Sequence, residues 1–323
     1  MYESGVQART DPNVHQPILK DGMTNWDRDA WVKKPERTLS IVPPAGAVNF
    51  SRKLVPAASH PLIAACGEPF VHQLLTHRFY QYAYFTTSLE LNAIIVATKQ
   101  IAMGEFWMAL PGFMCRNAHR IIIDEAQHSL QSDLVIDAVV RETRISPQFL
   151  SPPTFLSNLD VLCSQLNDRR RRLALMGFCI VSETLISATL SQIPKDRAVN
   201  ETVRFYVSEH AKDEGRHHAF FADVLRAGWR CLAPSDRDFL AHLLPEFIRW
   251  FLEPDHGWLR AFLRGNGFAA AEVERVISES YPQDVVAGQI RADARQSLDR
   301  FHEAGVFRCS AAELSFSKAG LIK

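Results

Sequence analysis

Four stretches of the chain repeat apolar residues every three or four positions, the spacing that gathers them on one face of an α-helix. They run over about 70–106, 113–142, 168–192 and 197–227, with Pro111-Gly112 parting the first two and Pro194 ending the third. Shorter amphipathic pieces follow Ala233-Pro234, near 235–252, 256–265, 269–281 and 287–304. The proline-containing run 146–166 reads as a connection. No strand alternation lasts longer than a few residues, so the chain is predicted to be all-α. Residues 1–61 hold seven of the seventeen prolines, Pro43-Pro44 among them, and show little periodicity. The expected organisation is an irregular arm over 1–66, a four-helix bundle over 67–230, and helices over 231–323 packed on it, forming one domain overall.

Written out at helical spacing, each long helix has an apolar stripe interrupted at its middle. The first reads Phe79, Ala83, Thr86, Glu90, Ile94, Ala97, Ile101, and the second Ala118, Ile121, Glu125, His128, Ser132, Val135. The third reads Met176, Cys179, Ile180, Glu183, Ile186, Leu190, and the fourth Val203, Val207, His210, Glu214, His217, Phe221, Val224. A carboxylate taken out of water without a partner costs several kcal/mol, so four at one level of a core call for shared cations. Two ferrous ions would balance the four negative charges, and imidazole suits iron as a donor. One lone Glu from each of two helices (Glu90, Glu183), with a Glu-x-x-His from each of the others (Glu125/His128, Glu214/His217), is a dimetal-bundle arrangement. An i, i+3 pair turns about 300° around the helix, so both side chains point inward together. Order strengthens the reading: Glu90 precedes Glu125 by 35 residues and Glu183 precedes Glu214 by 31, a pseudo-repeat of helix pairs. Glu253-Pro254-Asp255-His256 also fits the bare motif and carries no such meaning, because Pro254 breaks the helix. Asp124 and Asp213 each precede a motif glutamate, where an aspartate can accept the second ring N–H of a ligand histidine across the bundle.

Composition narrows the class further. Thirty-six basic residues cancel thirty-six acidic ones, which argues against nucleic-acid or acidic-membrane partners. No run of eighteen apolar residues and no secretory h-region occurs, so no membrane span is expected. The six cysteines form no Cys-x-x-Cys pair, which excludes zinc ribbons and points to reduced thiols in a cytoplasmic protein. No Gly-x-Gly-x-x-Gly is present, so redox work would draw on an external electron donor.

Ile123-Asp124-Glu125-Ala126-Gln127-His128 and His210-Ala211-Lys212-Asp213-Glu214-Gly215-Arg216-His217-His218 resemble the metal motifs of the p-aminobenzoate N-oxygenase family of ferritin-like di-iron enzymes. The resemblance spans about residues 70–225. It implies a ferritin-like bundle and one additional histidine ligand, at His210, a turn before the second Glu-x-x-His. The implied ligand set is Glu90, Glu125, His128, Glu183, His210, Glu214 and His217. It further implies two Fe ions, O2 as co-substrate, and an amine oxidised to hydroxylamine, nitroso or nitro products in secondary metabolism. The implied partners are a small-molecule or carrier-protein-tethered amine, a reductase or ferredoxin, and a second copy of the chain in a homodimer. C–H hydroxylation, oxidative rearrangement, and ferroxidase or metal-storage activity are the alternatives. Phe85, Leu89, Ile94 and Tyr206 are candidates for a mainly apolar substrate cavity. Between Arg78 and Lys99 the first helix has no cation, so a carboxylate anchor would fall to Arg204 or a loop arginine.

Overall fold

A computed structural model describes residues 19–34 and 46–322, residues 186–189 by backbone alone. Pro43-Pro44, much of the expected arm and the side chain of Ile186 lie outside the described residues. Among its described residues the arm carries two single α-helical turns, α1 (Trp26–Asp29) and α2 (Pro61–Ala64), with three 3-10 turns between them. One continuous rod follows, built of α3 (Glu68–Leu89), a π-helical turn (Glu90–Ile94) and α4 (Ile95–Ala102). Then come α5 (Gly112–Thr143), α6 (Thr154–Ser164), α7 (Asp168–Leu190) and α8 (Glu201–Cys231). The tail holds α9 (Pro234–Leu252), α10 (Gly257–Gly265), α11 (Ala270–Ser280), α12 (Gln283–Ala304) and α13 (Ser310–Lys318). Among the described residues the one β feature is an isolated parallel bridge between Val48 and Val199. The chain is all-α.

The α3–α4 rod lies against α5, α7 lies against α8, and contacts of α4 with α7 and of α5 with α8 close a four-helix bundle of the ferritin-like type. Every described member of the four stripes is buried, polar members included. Each fully buried large apolar side chain contributes about 1.5–3 kcal/mol, and this pins the rotation of every helix about its axis. Local signals set the ends. The Asn200 side chain accepts the backbone N–H of Thr202 at 2.9 Å and starts α8. Arg144 takes a left-handed φ of 59° and stops α5. The tail helices join the same apolar core, α9 against α7 above all. Gly177 permits that approach, since a Cβ there would sit 3.0 Å from Leu240 and 3.3 Å from Phe247.

Two expectations need correction. Residues 154–164, read as connection, form α6: Phe155 and Leu159 are buried at helical spacing, and Pro152-Pro153 merely precedes the first turn. The first long helix is not uniform, because a π turn opens at Glu90. The tail also contains α13, whose Ala312 and Phe316 are buried four residues apart.

Candidate metal centre

The bundle brings Glu90, Glu125, His128, Glu183, His210, Glu214 and His217 to one level, all buried to 1 % exposure or less. Their donor atoms fall into two groups. Glu90, His128, His210 and Glu214 form one, Glu125, Glu183 and His217 the other, and within each group one atom per residue lies within 4.8 Å of the rest. Local pitch explains the inward aim on α5 and α8, where i, i+3 and i, i+4 partners share a face. On the first rod the π turn begins at Glu90 itself, a local change of pitch of the kind that collects at functional sites.

Carboxylates across the bundle fix the rings. His128 faces Asp213 Oδ2 with Nε2 at 3.1 Å, and His217 faces Asp124 Oδ2 with Nε2 at 3.2 Å. Each Nε2–H donates to its aspartate, which leaves Nδ1 as the free lone pair facing the glutamates. His128 Nδ1 lies 3.2 Å from Glu125 and 3.5 Å from Glu214, and His217 Nδ1 lies 3.0 Å from Glu125. His210 presents Nε2 instead, 2.9 Å from Glu214 and 3.3 Å from Glu90.

The arm completes both braces, through contacts that no periodicity or motif of the chain marks. The Trp26 indole N–H donates to both oxygens of Asp124, at 2.9 and 2.8 Å. The Trp31 backbone N–H approaches Asp213 at 3.3 Å, and the Arg216 guanidinium donates to the same carboxylate. Ser129 donates to Glu90 Oε2 at 2.9 Å.

The electrostatics are those of too much acid in too little water. Burial pushes the Glu90 carboxyl well above the usual carboxylate range. Burial and then the nearby Glu214 and Glu125 do the same for Glu183. Burial also works against ionised Glu214, but His217 and His210 outweigh it and hold that carboxyl well below. Five of the inward atoms have no hydrogen-bond partner, Glu90 Oε1, Glu125 Oε1, Glu183 Oε2, Glu214 Oε2 and His217 Nδ1, and neither has the outer ring nitrogen of His210, Nδ1. Buried polar atoms are rarely left so. Four carboxylates and three imidazoles, all but His128 holding an atom without a hydrogen-bond partner, are a donor set that suits a pair of divalent iron ions.

A cavity of about 530 Å³ opens beside the first rod. Thr86, one turn before Glu90, lies on its wall together with Tyr82 and Phe85. Of the cavity candidates, Phe85 lines it and packs edge-on against Phe155 and Phe251. Leu89 and Ile94 are buried in the apolar core and are not among its lining residues. Tyr206 shares a 2.6 Å hydroxyl contact with Ser132, and its ring lies 6.3 Å from that of His210. Arg204 turns to its own helix start, donating to Val199 O at 3.0 Å, whereas Arg78 lines the cavity.

Comparison with known proteins gives the family. The profile of p-aminobenzoate N-oxygenase AurF matches residues 18–305. The 4-aminobenzoate N-oxygenase of Streptomyces thioluteus is 26% identical over 236 residues, 69% of this chain and 67% of that protein. Among the described residues no helix is long and apolar enough to cross a membrane. The family match begins in the arm and runs through the bundle into the tail, so this chain, an oxidoreductase, belongs to the p-aminobenzoate N-oxygenase AurF family of di-iron N-oxygenases.

Proposed function

We propose that the seven grouped side chains are the ligands of two iron ions and that the chain N-oxygenates a small-molecule aromatic amine. The observation that carries this is the division of all seven into two adjoining buried groups. A bound iron pair would supply the dioxygen activation that organic side chains cannot. In each turnover one oxygen atom forms the new N–O bond of a hydroxylamine. The other leaves as water, taking up two protons and two electrons. A separate reductase or ferredoxin supplies those electrons, in keeping with the missing dinucleotide fingerprint. Repetition would carry the product to nitroso or nitro.

The chain's own residues bind, orient and exclude. Asp124 and Asp213 hold the Nε2 protons of His217 and His128, and so keep both Nδ1 atoms unprotonated and aimed inward. Phe79, Ile121 and Tyr206, all buried, keep bulk water from the inner faces. The cavity, whose wall includes Thr86 one turn before Glu90, would give an amine its approach to that level of the bundle. A homodimer suits the exposed Ile123, Leu130 and Leu134, spaced seven and four apart along one face of α5. Leu130→Glu is expected to yield a monomer by light scattering.

The deciding experiment is an anaerobic ferrous titration followed by oxygen exposure with a panel of amines. Two irons per chain, an oxygen-dependent absorption band and hydroxylamine labelled from isotopic dioxygen are expected. Fewer than two irons, with no band and no labelled product, would end the proposal.

A further inference from the structure

Arg78 stands in the cavity wall, twelve residues before Glu90 on the same rod. Its guanidinium lies over the Phe50 ring at 4.7 Å and within 6.0 Å of the Trp258 ring. It has no hydrogen bond or ion pair with any described residue. Other charged groups of the same wall are engaged. Arg260 is paired with Glu274, Glu253 with Arg249, and Asp255 accepts from Thr154 and from the backbone of Gly257. An arginine clamped by its flat faces keeps its in-plane N–H fork for a ligand, and that fork matches a carboxylate. Glu253, Asp255 and Asp293 line the cavity too, and their charge disfavours a dianion such as phosphate.

Distance sets the size of the ligand. Twelve helical residues rise about 18 Å and turn a net of about 120°, so Arg78 and Glu90 stand on different faces of the rod and the rise is the least that separates them. Contact at each end takes up about 3 Å, so an anchored molecule would hold its nitrogen and its anion at least about 12 Å apart. A single aminobenzoate ring spans roughly half of that.

Resting on the N-oxygenase reading above, we propose that Arg78 binds the carboxylate of an elongated aromatic amine, with the carboxylate and the reacting nitrogen at opposite ends of the molecule. The aromatic side chains Phe85 and Trp250, on the same wall, flank its middle, and Trp258 stands beside the anchored end. The substrate is then a longer acid than the one that names the family.

Calorimetry of the iron-loaded protein under anaerobic conditions tests this with four probes: 4′-aminobiphenyl-4-carboxylate, its methyl ester, the matching phosphonate, and 4-aminobenzoate. The biphenyl acid is expected to bind at least tenfold more tightly than the other three. Arg78→Met should remove its advantage over the ester, and Arg78→Lys should restore part of it. Acid and ester binding equally to the native protein would overturn the proposal, and that comparison needs no variant to fold. Equal weakening of acid and ester by Arg78→Met would also overturn it, and tighter phosphonate binding would overturn the carboxylate assignment. Oxygen exposure of the same complexes separates the two levels. Selective binding of the acid with no amine oxidised removes the N-oxygenase reading and leaves the Arg78 site standing. Oxidation of every amine without preference for the acid does the reverse.

Discussion

The two halves of the candidate centre are built from the same motif and are not equivalent. The half formed by Glu90, His128, His210 and Glu214 has two imidazoles, whereas the half formed by Glu125, Glu183 and His217 has one. Their braces differ as well. Asp213 is shared among His128, Arg216 and the Trp31 backbone, and Asp124 serves His217 and the Trp26 indole. A pseudo-repeat can thus supply matching frames while one additional histidine makes the two halves chemically distinct. The nitrogen-rich half is therefore expected to tolerate the loss of one donor better than its neighbour.

The largest effect is expected from Glu183→Gln, which takes a carboxylate from the poorer half. Iron loading should fall to one per chain and N-oxygenation should vanish. The metal-free protein should keep its Tm within about 3 °C, because Glu183 Oε2 has no hydrogen-bond partner to lose. Paired iron analysis and calorimetry check this. His210→Ala reduces the richer half to the donor count of the other. Two irons should still bind while turnover is lost, and sustained turnover would show that the extra imidazole is dispensable. Asp124→Asn and Asp213→Asn should each weaken iron binding by about 10–100-fold. Titration should find the Asp124 variant the weaker of the two, since His217 is the sole nitrogen donor of its half. Trp26→Phe is the mildest test. It removes one indole donor to a carboxylate, worth about 1.5–3 kcal/mol in thermal unfolding, and should weaken iron binding less than Asp124→Asn does.

The seven grouped residues and the four helices that carry them were legible because burial and helical pitch constrain one another. A glutamate such as Glu125 in the middle of an apolar stripe is conspicuous, and His128 three residues later shares its face. What escaped notice depended on distant parts of the chain. Trp26 meets Asp124 across 98 residues, and no periodicity records such a pairing. Arg78 reads as an ordinary helix cation until Phe50 and Trp258, from the arm and the tail, close around it. The π turn at Glu90 left no mark because Leu91, Asn92 and Ala93 suit an α-helix equally well. Helix α6 was hidden by the prolines before it, although Phe155, Leu159 and Leu162 already kept helical spacing.

The contacts of Trp26 and Trp31 bear on how this protein can be trimmed. A fragment beginning at residue 46 would still contain all seven grouped side chains. It would nonetheless leave Asp124 and Asp213 without the donors that the arm lends them. The smallest faithful catalytic unit therefore starts upstream of Trp26, and a tag or cleavage site placed between the arm and the bundle would cut through its support.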